Sequence, residues 1–283
     1  MTADGQKKVF LTGATSGIGK ATAELLVQKG YAVWGTTRSL ERAGNPPHFH
    51  ALEMRLEEPA SVEAAWNEAL AQAGRIDIVI QNAGAGIFGA IEDVSLGDAQ
   101  WQWRVLVEGP LRLLQLAAEH LRPRREGMII GVSSLAAELP MPFSVHYSAG
   151  KAAFSTLLAG LSMELKPFDV RVVDLRPGDI RTAFNDDLPK TMPAGSAYLP
   201  WARQTWEKCA TLMAEAPPPE LIARAIEKII SAKNPPAIAR RGTFFQATMG
   251  AVGVRLLPHR WLLDSIRKYY SLPDVDEREQ KRK

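Results

Sequence analysis

Tyr147 and Lys151 stand four residues apart, inside a stretch from 146 to 166 whose pattern predicts a helix. On a helix that spacing puts both side chains on one face. A free phenol has a pKa near 10, too high for proton exchange at neutral pH. An ammonium about 4 Å away, at an effective dielectric near 20, would favour the phenolate by about 4 kcal/mol. A Tyr–Lys pair of this kind can pass a proton near pH 7, as acid in a reduction and as base in an oxidation. Ser134 ends the strand-like run from Met128, thirteen residues before Tyr147. A hydroxyl there is suited to hydrogen-bond a substrate oxygen as charge develops on it.

A second group of residues suits phosphates. Thr12-Gly13-Ala14-Thr15-Ser16-Gly17-Ile18-Gly19 lies between the apolar run Val9-Phe10-Leu11 and a helical pattern through Ala21, Leu25 and Leu26. Glycines in a strand-to-helix turn let the backbone bend tightly and approach a pyrophosphate. The helix that follows directs free N–H groups and the positive end of its dipole at the same charge. After the second apolar run, Tyr31 to Thr36, the chain continues Thr37-Arg38 with no acid. An acid there would bind the ribose hydroxyls of NAD. Arg38 instead offers a planar fork to a 2′-phosphate, which predicts NADP; a solvated loop arginine is the plain alternative.

The spacing Gly-x-x-x-Gly-x-Gly resembles the short-chain dehydrogenase/reductase family. So do Asn82-Ala83-Gly84, Ser134, Tyr147-x-x-x-Lys151 and Pro177-Gly178-Asp179-Ile180-Arg181-Thr182, five markers in order over residues 12 to 182. The resemblance implies hydride transfer between nicotinamide and a carbonyl or hydroxyl group, with Ser134, Tyr147 and Lys151 as the catalytic residues. It places Asn82, Ala83 and Gly84 beside the adenosine ribose and nicotinamide. Lys151 would hold the nicotinamide ribose, and Pro177, Gly178, Ile180 and Thr182 the nicotinamide amide. Two positions depart from the family. Leu106 stands where an Asn usually supports a water-linked proton relay, and Arg55 where an Asp often contacts adenine.

These residues need a scaffold that brings distant segments together. Strand-like and helix-like patterns alternate, with helices over 59 to 73, 98 to 121 and 146 to 166, and strands at Ile76 to Ile80, Met128 to Val132 and Val170 to Leu175. The alternation predicts a doubly wound α/β Rossmann fold, a parallel sheet of about seven strands with helices on both faces. A single domain over 1–273 is expected. Within it, 183–216 reads as a substrate lid and 243–272 as a C-terminal cap, and the charged tail 274–283 reads as disordered.

With 283 residues, 46% hydrophobic and 23% charged, the chain can bury a full core without metal or disulfide. Its one cysteine, Cys209, cannot form an internal disulfide, and no signal-peptide core is present, so a cytoplasmic location is expected. The net charge of +3 and the lack of a basic stripe with interleaved aromatics argue against nucleic acid. The cluster Arg122, Arg124, Arg125 reads as a solvated helix end. No apolar run is long enough to span a membrane, which leaves only peripheral contact open. None of the five histidines has metal-ligand spacing.

Apolar residues crowd the expected pocket edge, among them Ile87, Phe88, Leu135, Phe143, Phe184, Leu188, Tyr198, Trp201 and Trp206. They point to a small lipophilic substrate. The C-terminal segment is similar to the tails of family members acting on steroids, retinoids or other lipophilic alcohols and ketones. The resemblance also implies a homo-oligomer through helices 98–121 and 146–166. Two other readings compete with a ketone reductase: a weakly catalytic dinucleotide sensor, and a lyase or epimerase on the same scaffold.

Overall fold

The computed structural model describes residues 5–42, 48–184, 188–243, 246, 248, 253–254 and 256–273. Short apolar runs form strands β1 (Lys8–Leu11), β2 (Ala32–Thr37), β3 (Phe49–Glu53) and β4 (Ile78–Gln81). Two residues, Phe88–Gly89, make β5; β6 spans Gly127–Val132 and β7 Val170–Pro177. Beyond them lie β8 (Lys190–Thr191) and β9 (Ile238–Arg241). Seven strands form one sheet in the order β3-β2-β1-β4-β6-β7-β9, with every neighbour parallel. Parallel neighbours require crossovers, and the helices supply them.

The helices are α1 (Gly17–Gln28), α2 (Pro59–Ala73), α3 (Leu96–Trp103), α4 (Gly109–Arg124), α5 (Val145–Leu165), α6 (Leu199–Ala214), α7 (Glu220–Ser231) and α8 (His259–Tyr269). Alternate strand residues face opposite ways, so Phe10 joins Trp66 of α2, Leu113 of α4 and Phe154 of α5 in one core. Val9 and Leu11 join Leu26 of α1 and Ile226 of α7 in the other. Both faces of the sheet are therefore covered, and the central strands β1, β4 and β6 read as largely apolar runs.

The expected doubly wound, single-domain α/β architecture is present. Four local features differ from the sequence reading. The helix expected over 98 to 121 is α3 and α4 joined by a π-helical turn, Arg104–Glu108, where the Gly109 amide donates to the Arg104 carbonyl. The loop expected after residue 183 contains β8, which pairs in parallel with β5. The edge strand β9 lacks an apolar run and was not expected. Arg124 is no solvated residue: it donates to Asp77 Oδ1 at 2.7 Å and reaches the Ile76 carbonyl, tying α4 to β4. Of the expected cap, only part falls within the described residues, and the tail 274–283 lies outside them.

Candidate active site

The markers that lie far apart in sequence meet at one edge of the sheet. The glycine turn leaves the carboxyl end of β1, Asn82 that of β4, Ser133 and Ser134 that of β6, and Gly178 follows β7. β1 and β4 are neighbours where the strand order reverses, the switch point at which open α/β sheets bind ligands.

Thr12 holds the two innermost loops together. Its hydroxyl donates to Gln81 Oε1 at 2.6 Å and accepts from the amides of Asn82 and Ala83 at 2.9 Å each. Asn82 Nδ2 donates to the Thr12 carbonyl at 3.0 Å. Gly19 sits so near the turn's start that a Cβ would lie 2.0 Å from the Gly13 carbonyl oxygen. Gly17 has φ +49, and a Cβ on it would meet Thr182 at 3.2 Å. The glycine turn and the Pro177–Thr182 segment therefore face each other across a gap narrower than a side chain. Ser16 at the head of α1 makes no side-chain cap, so the first amides of that helix remain for an anion. Thr15 and Thr37 share a hydrogen bond of 3.0 Å, which joins the turn to the end of β2. These features fit a dinucleotide pyrophosphate.

The three candidate catalytic residues converge beside this cradle. Ser134 leaves β6 with its Oγ accepting from the Ala136 amide at 3.0 Å, and its hydroxyl also hydrogen-bonds Tyr147. Lys151 is buried one helical turn along α5 and donates to the Val132 carbonyl at 2.9 Å. Here the structure corrects the proton argument made from sequence. Lys151 Nζ lies 5.8 Å from the Tyr147 ring centre and is turned toward the backbone. Burial pushes the Tyr147 phenol up to about 12, with the Ser134 hydrogen bond opposing and the charge of Asp179 adding to the rise. Burial also pushes the Lys151 ammonium down to about 8. As the protein stands, Tyr147 keeps its proton and is set up to donate it.

Leu106 lies on the π turn, fully buried. A methyl placed on Gly84 would touch Leu106 Cδ2 at 3.3 Å and Lys151 Nζ at 3.4 Å; one on Gly150 would touch Leu106 Cδ1 at 2.8 Å. Leu106 thus fills the space between the Asn82–Gly84 loop, α5 and the lysine as a packing residue. Arg55 pairs loosely with Glu53 at 3.9 Å on the surface. Arg38 stands exposed just past β2, among the buried Thr36 and Thr37.

Sequence reasoning missed two groups. Asp174 and Arg176 are buried on β7 and joined at 2.6 Å. Asp174 also accepts from Ser133 and, at 2.7 Å, from Ser155. Arg176 donates to Ser155 at 2.7 Å and pairs with Glu138, which Arg240 of β9 grips at 2.9 Å. Burial pushes the Glu138 carboxyl up, but Arg240 and Arg176 outweigh it and hold it below the ordinary range. Opposite charges at Asp174 and Arg176, two residues apart and so on one face of the strand, were the signal available. The second group is Asp179 with Gln246, whose Nε2 donates to Asp179 Oδ2 at 2.5 Å. Nothing in the sequence pattern links them.

Several expected pocket residues form a small core of their own: Phe88, Phe143 and Ala202, with Tyr198, Trp201, Trp206 and Leu272 against them. Phe184 and Leu188 lie nearer the chemistry, since a methyl on Gly86 would meet Leu188, Phe184 and Tyr147 within 3.6 Å. Burial pushes the Cys209 thiol up to about 12, so it is no nucleophile. His50 stacks on Trp34 at 4.5 Å. Among the described residues, no three His, Cys, Asp or Glu side chains gather as a metal site, and no helix is long and apolar enough to cross a membrane.

A switch-point cradle for a dinucleotide beside a Ser–Tyr–Lys group defines an oxidoreductase that works with NAD or NADP. The sequence pattern of short chain dehydrogenases matches residues 7–193, and the chain belongs to the short-chain dehydrogenase/reductase family. It is 28% identical over 266 residues to a 3-ketodihydrosphingosine reductase of Bacteroides thetaiotaomicron, covering 93% of this chain and 98% of that one. It is 30% identical over 238 residues to an NADPH-dependent 1-acyldihydroxyacetone phosphate reductase of Schizosaccharomyces pombe, covering 78% and 80%. A short-chain dehydrogenase from Streptomyces avermitilis superposes with a TM-score of 0.78 at 26% identity, over 93% of this chain and 98% of that one.

Proposed function

We propose that the protein is an NADP(H)-dependent reductase of lipophilic ketones, with Tyr147 as the proton donor. The observation that carries this reading is the convergence of Ser134, Tyr147 and the buried Lys151 beside the Asn82–Gly86 loop and the glycine turn. Bound nicotinamide would supply the hydride. Gly13, Gly17, Gly19 and the head of α1 would receive the pyrophosphate, Asn82 to Gly84 and Lys151 the riboses, and Pro177 to Thr182 the carboxamide. Ser134 orients the ketone oxygen, and Tyr147 transfers its proton there as the carbonyl carbon gains the hydride. Lys151, held on the Val132 carbonyl, fixes the floor of this site. Arg38 favours the 2′-phosphate of NADP, in line with the NADPH named for one relative.

The sphingoid and acyl substrates named for the relatives agree with apolar walls formed by Leu135, Phe184 and Leu188. In this reading residues 183–216 are the lid and 243–272 the cap, for Leu272 joins the aromatic cluster beside α6. A homo-oligomer through α3, α4 and α5 belongs to the same reading, as Trp103 of α3, Leu111 of α4 and Met163 of α5 stand exposed. So does a cytoplasmic location with peripheral membrane contact through Leu256 and Trp261, which are exposed beside basic residues. Steady-state consumption of NADPH and NADH with a panel of bulky ketones tests the proposal. NADPH should be preferred, and Tyr147→Phe should lose about 10²- to 10⁴-fold in turnover while still binding NADPH. Turnover by Tyr147→Phe within about threefold of wild type would remove Tyr147 as donor.

A further inference from the structure

Two orphaned polar atoms lie behind the catalytic group. Gln102 of α3 is 1% exposed. Its Nε2 donates to the Ala85 carbonyl at 3.4 Å, while its Oε1 has no hydrogen-bond partner. His146, in the first turn of α5, buries its Nε2 without a partner as well. Among the described residues, no other buried side-chain nitrogen or oxygen is left unpaired. Leaving such an atom unpaired costs stability, so each needs an explanation. Ala85 lies between two glycines that wall the catalytic residues. A methyl on Gly84 would touch Lys151 Nζ at 3.4 Å, and one on Gly86 would touch Tyr147 at 3.6 Å.

The register of the helices sets the two orphans level with each other. α3, the π turn and α4 connect β4 to β6, α5 connects β6 to β7, and these strands are parallel. Both crossovers therefore run back in the same direction, and they lie on one face of the sheet, since Leu113 and Phe154 share a core. They touch at Leu106 and Gly150: a methyl on Gly150 would lie 2.9 Å from Leu106 Cβ. Four residues earlier on each stand Gln102 and His146. Four residues make about one turn, which returns both side chains to the faces in contact. Their chemistry is complementary, because a glutamine Oε1 only accepts and an imidazole Nε2 that carries a proton donates.

We propose that Gln102 and His146 are positioning residues for the reduction. His146 Nε2–H donates to Gln102 Oε1, directly or through one water, and Gln102 in turn holds the Ala85 carbonyl. The link ties the loop that walls Tyr147 and Lys151 to the turn of α5 that carries Tyr147. The role rests on the reading of the site as a ketone reductase; the link itself does not.

Two measurements test it. Long-range 1H–15N spectra of the NADPH-bound protein report the His146 ring, with His146→Leu identifying its signals. Wild type should show the proton on Nε2, exchanging with solvent at least about tenfold more slowly than in Gln102→Leu. In steady-state reduction of a bulky ketone, Gln102→Leu and His146→Leu should each lower kcat by roughly 10- to 100-fold, the scale of a small misplacement, with NADPH binding within about threefold of wild type. The double variant should be no slower than the worse single one, and His146→Gln, which keeps a donor, should recover most of the rate. Thermal melts check that each variant folds.

A proton on Nδ1 alone, or a ring signal indifferent to Gln102→Leu, overturns the link. Unchanged kcat, losses that multiply in the double variant, or equal losses in His146→Gln and His146→Leu overturn the positioning role. If Gln102→Leu does not fold, the wild-type ring spectrum and the two His146 variants decide by the same criteria. If wild type reduces no ketone, the reductase reading fails and the role with it, while the ring spectra still decide the link.

Discussion

In the proposed reading, Arg38 is the residue on which cofactor choice turns. It leaves β2 exposed, past two buried threonines, with no acid beside it to take a ribose hydroxyl. Arg38→Ala should weaken NADPH binding roughly 10- to 150-fold, the worth of a charged hydrogen bond, and leave NADH almost unchanged. Fluorescence titration of both cofactors checks this; equal losses would mean that Arg38 does not read the 2′-phosphate. Lys151 makes a different prediction. Its pKa in the fold is about 8 against an ordinary 10.5, so the fold disfavours its charged form. Below about 8 the lysine is charged in both folded and unfolded chains, and the fold bears the whole cost. Between the two values the folded state sheds its proton first, and stability from this residue rises with pH. Lys151→Met should therefore melt above wild type near neutral pH, with the gap closing as pH approaches 10.5. A gap that stays constant or widens would show that the ammonium is not desolvated.

At the scale of elements, the buried charges on β7 bind the site's supports to one another. Asp174 holds Ser133, next to Ser134, and Ser155, one turn beyond Lys151, while Arg176 and Glu138 carry the link to Arg240 on the edge strand. Asp174→Ala should lower the unfolding free energy by up to about 3–5 kcal/mol, because Arg176 would be left with Glu138 alone and the Ser133 and Ser155 hydroxyls would lose their buried acceptor. Adding Arg176→Met should restore much of that loss. Urea unfolding of the three proteins measures it, and a single variant as stable as wild type would reduce the network to a minor role. Such linkage is hard to see in a sequence. β9 reads Ile-Ala-Arg-Arg, with no run of apolar residues, and belongs to the sheet because Glu138, a hundred residues away, neutralises Arg240. The π turn at Leu106 is likewise a product of packing. The apolar period runs on through 98 to 121, and only the contacts of Leu106 with Gly84 and Gly150, and of Gly109 with Leu56, reveal the extra residue in the turn. By contrast β1, β4, β6 and α5 were legible, since burial on both faces or a four-residue spacing marks them directly.

For the whole molecule, the carboxyl ends of four strands gather residues from 12 to 182 at one place. Order and spacing made this gathering legible in advance, because each marker follows a strand. What surrounds the substrate was less so. The apolar residues Phe88, Phe143, Phe184, Leu188 and Trp206 read alike as pocket, whereas the fold packs Phe88, Phe143 and Trp206 together beside α6 and leaves Phe184 and Leu188 nearer Tyr147. Asp179 and Gln246, 67 residues apart, meet only in the fold, where the Gln246 side chain bonds both the carboxylate and the amide of Asp179. A reductase differs from the lyase or epimerase that this scaffold could also carry in consuming NADPH as its hydrogen passes to the product. A ketone reduced with NADPH deuterated at the transferable C4 position should yield an alcohol with one deuterium on the former carbonyl carbon. A product whose hydrogen at that carbon comes from solvent would contradict the account.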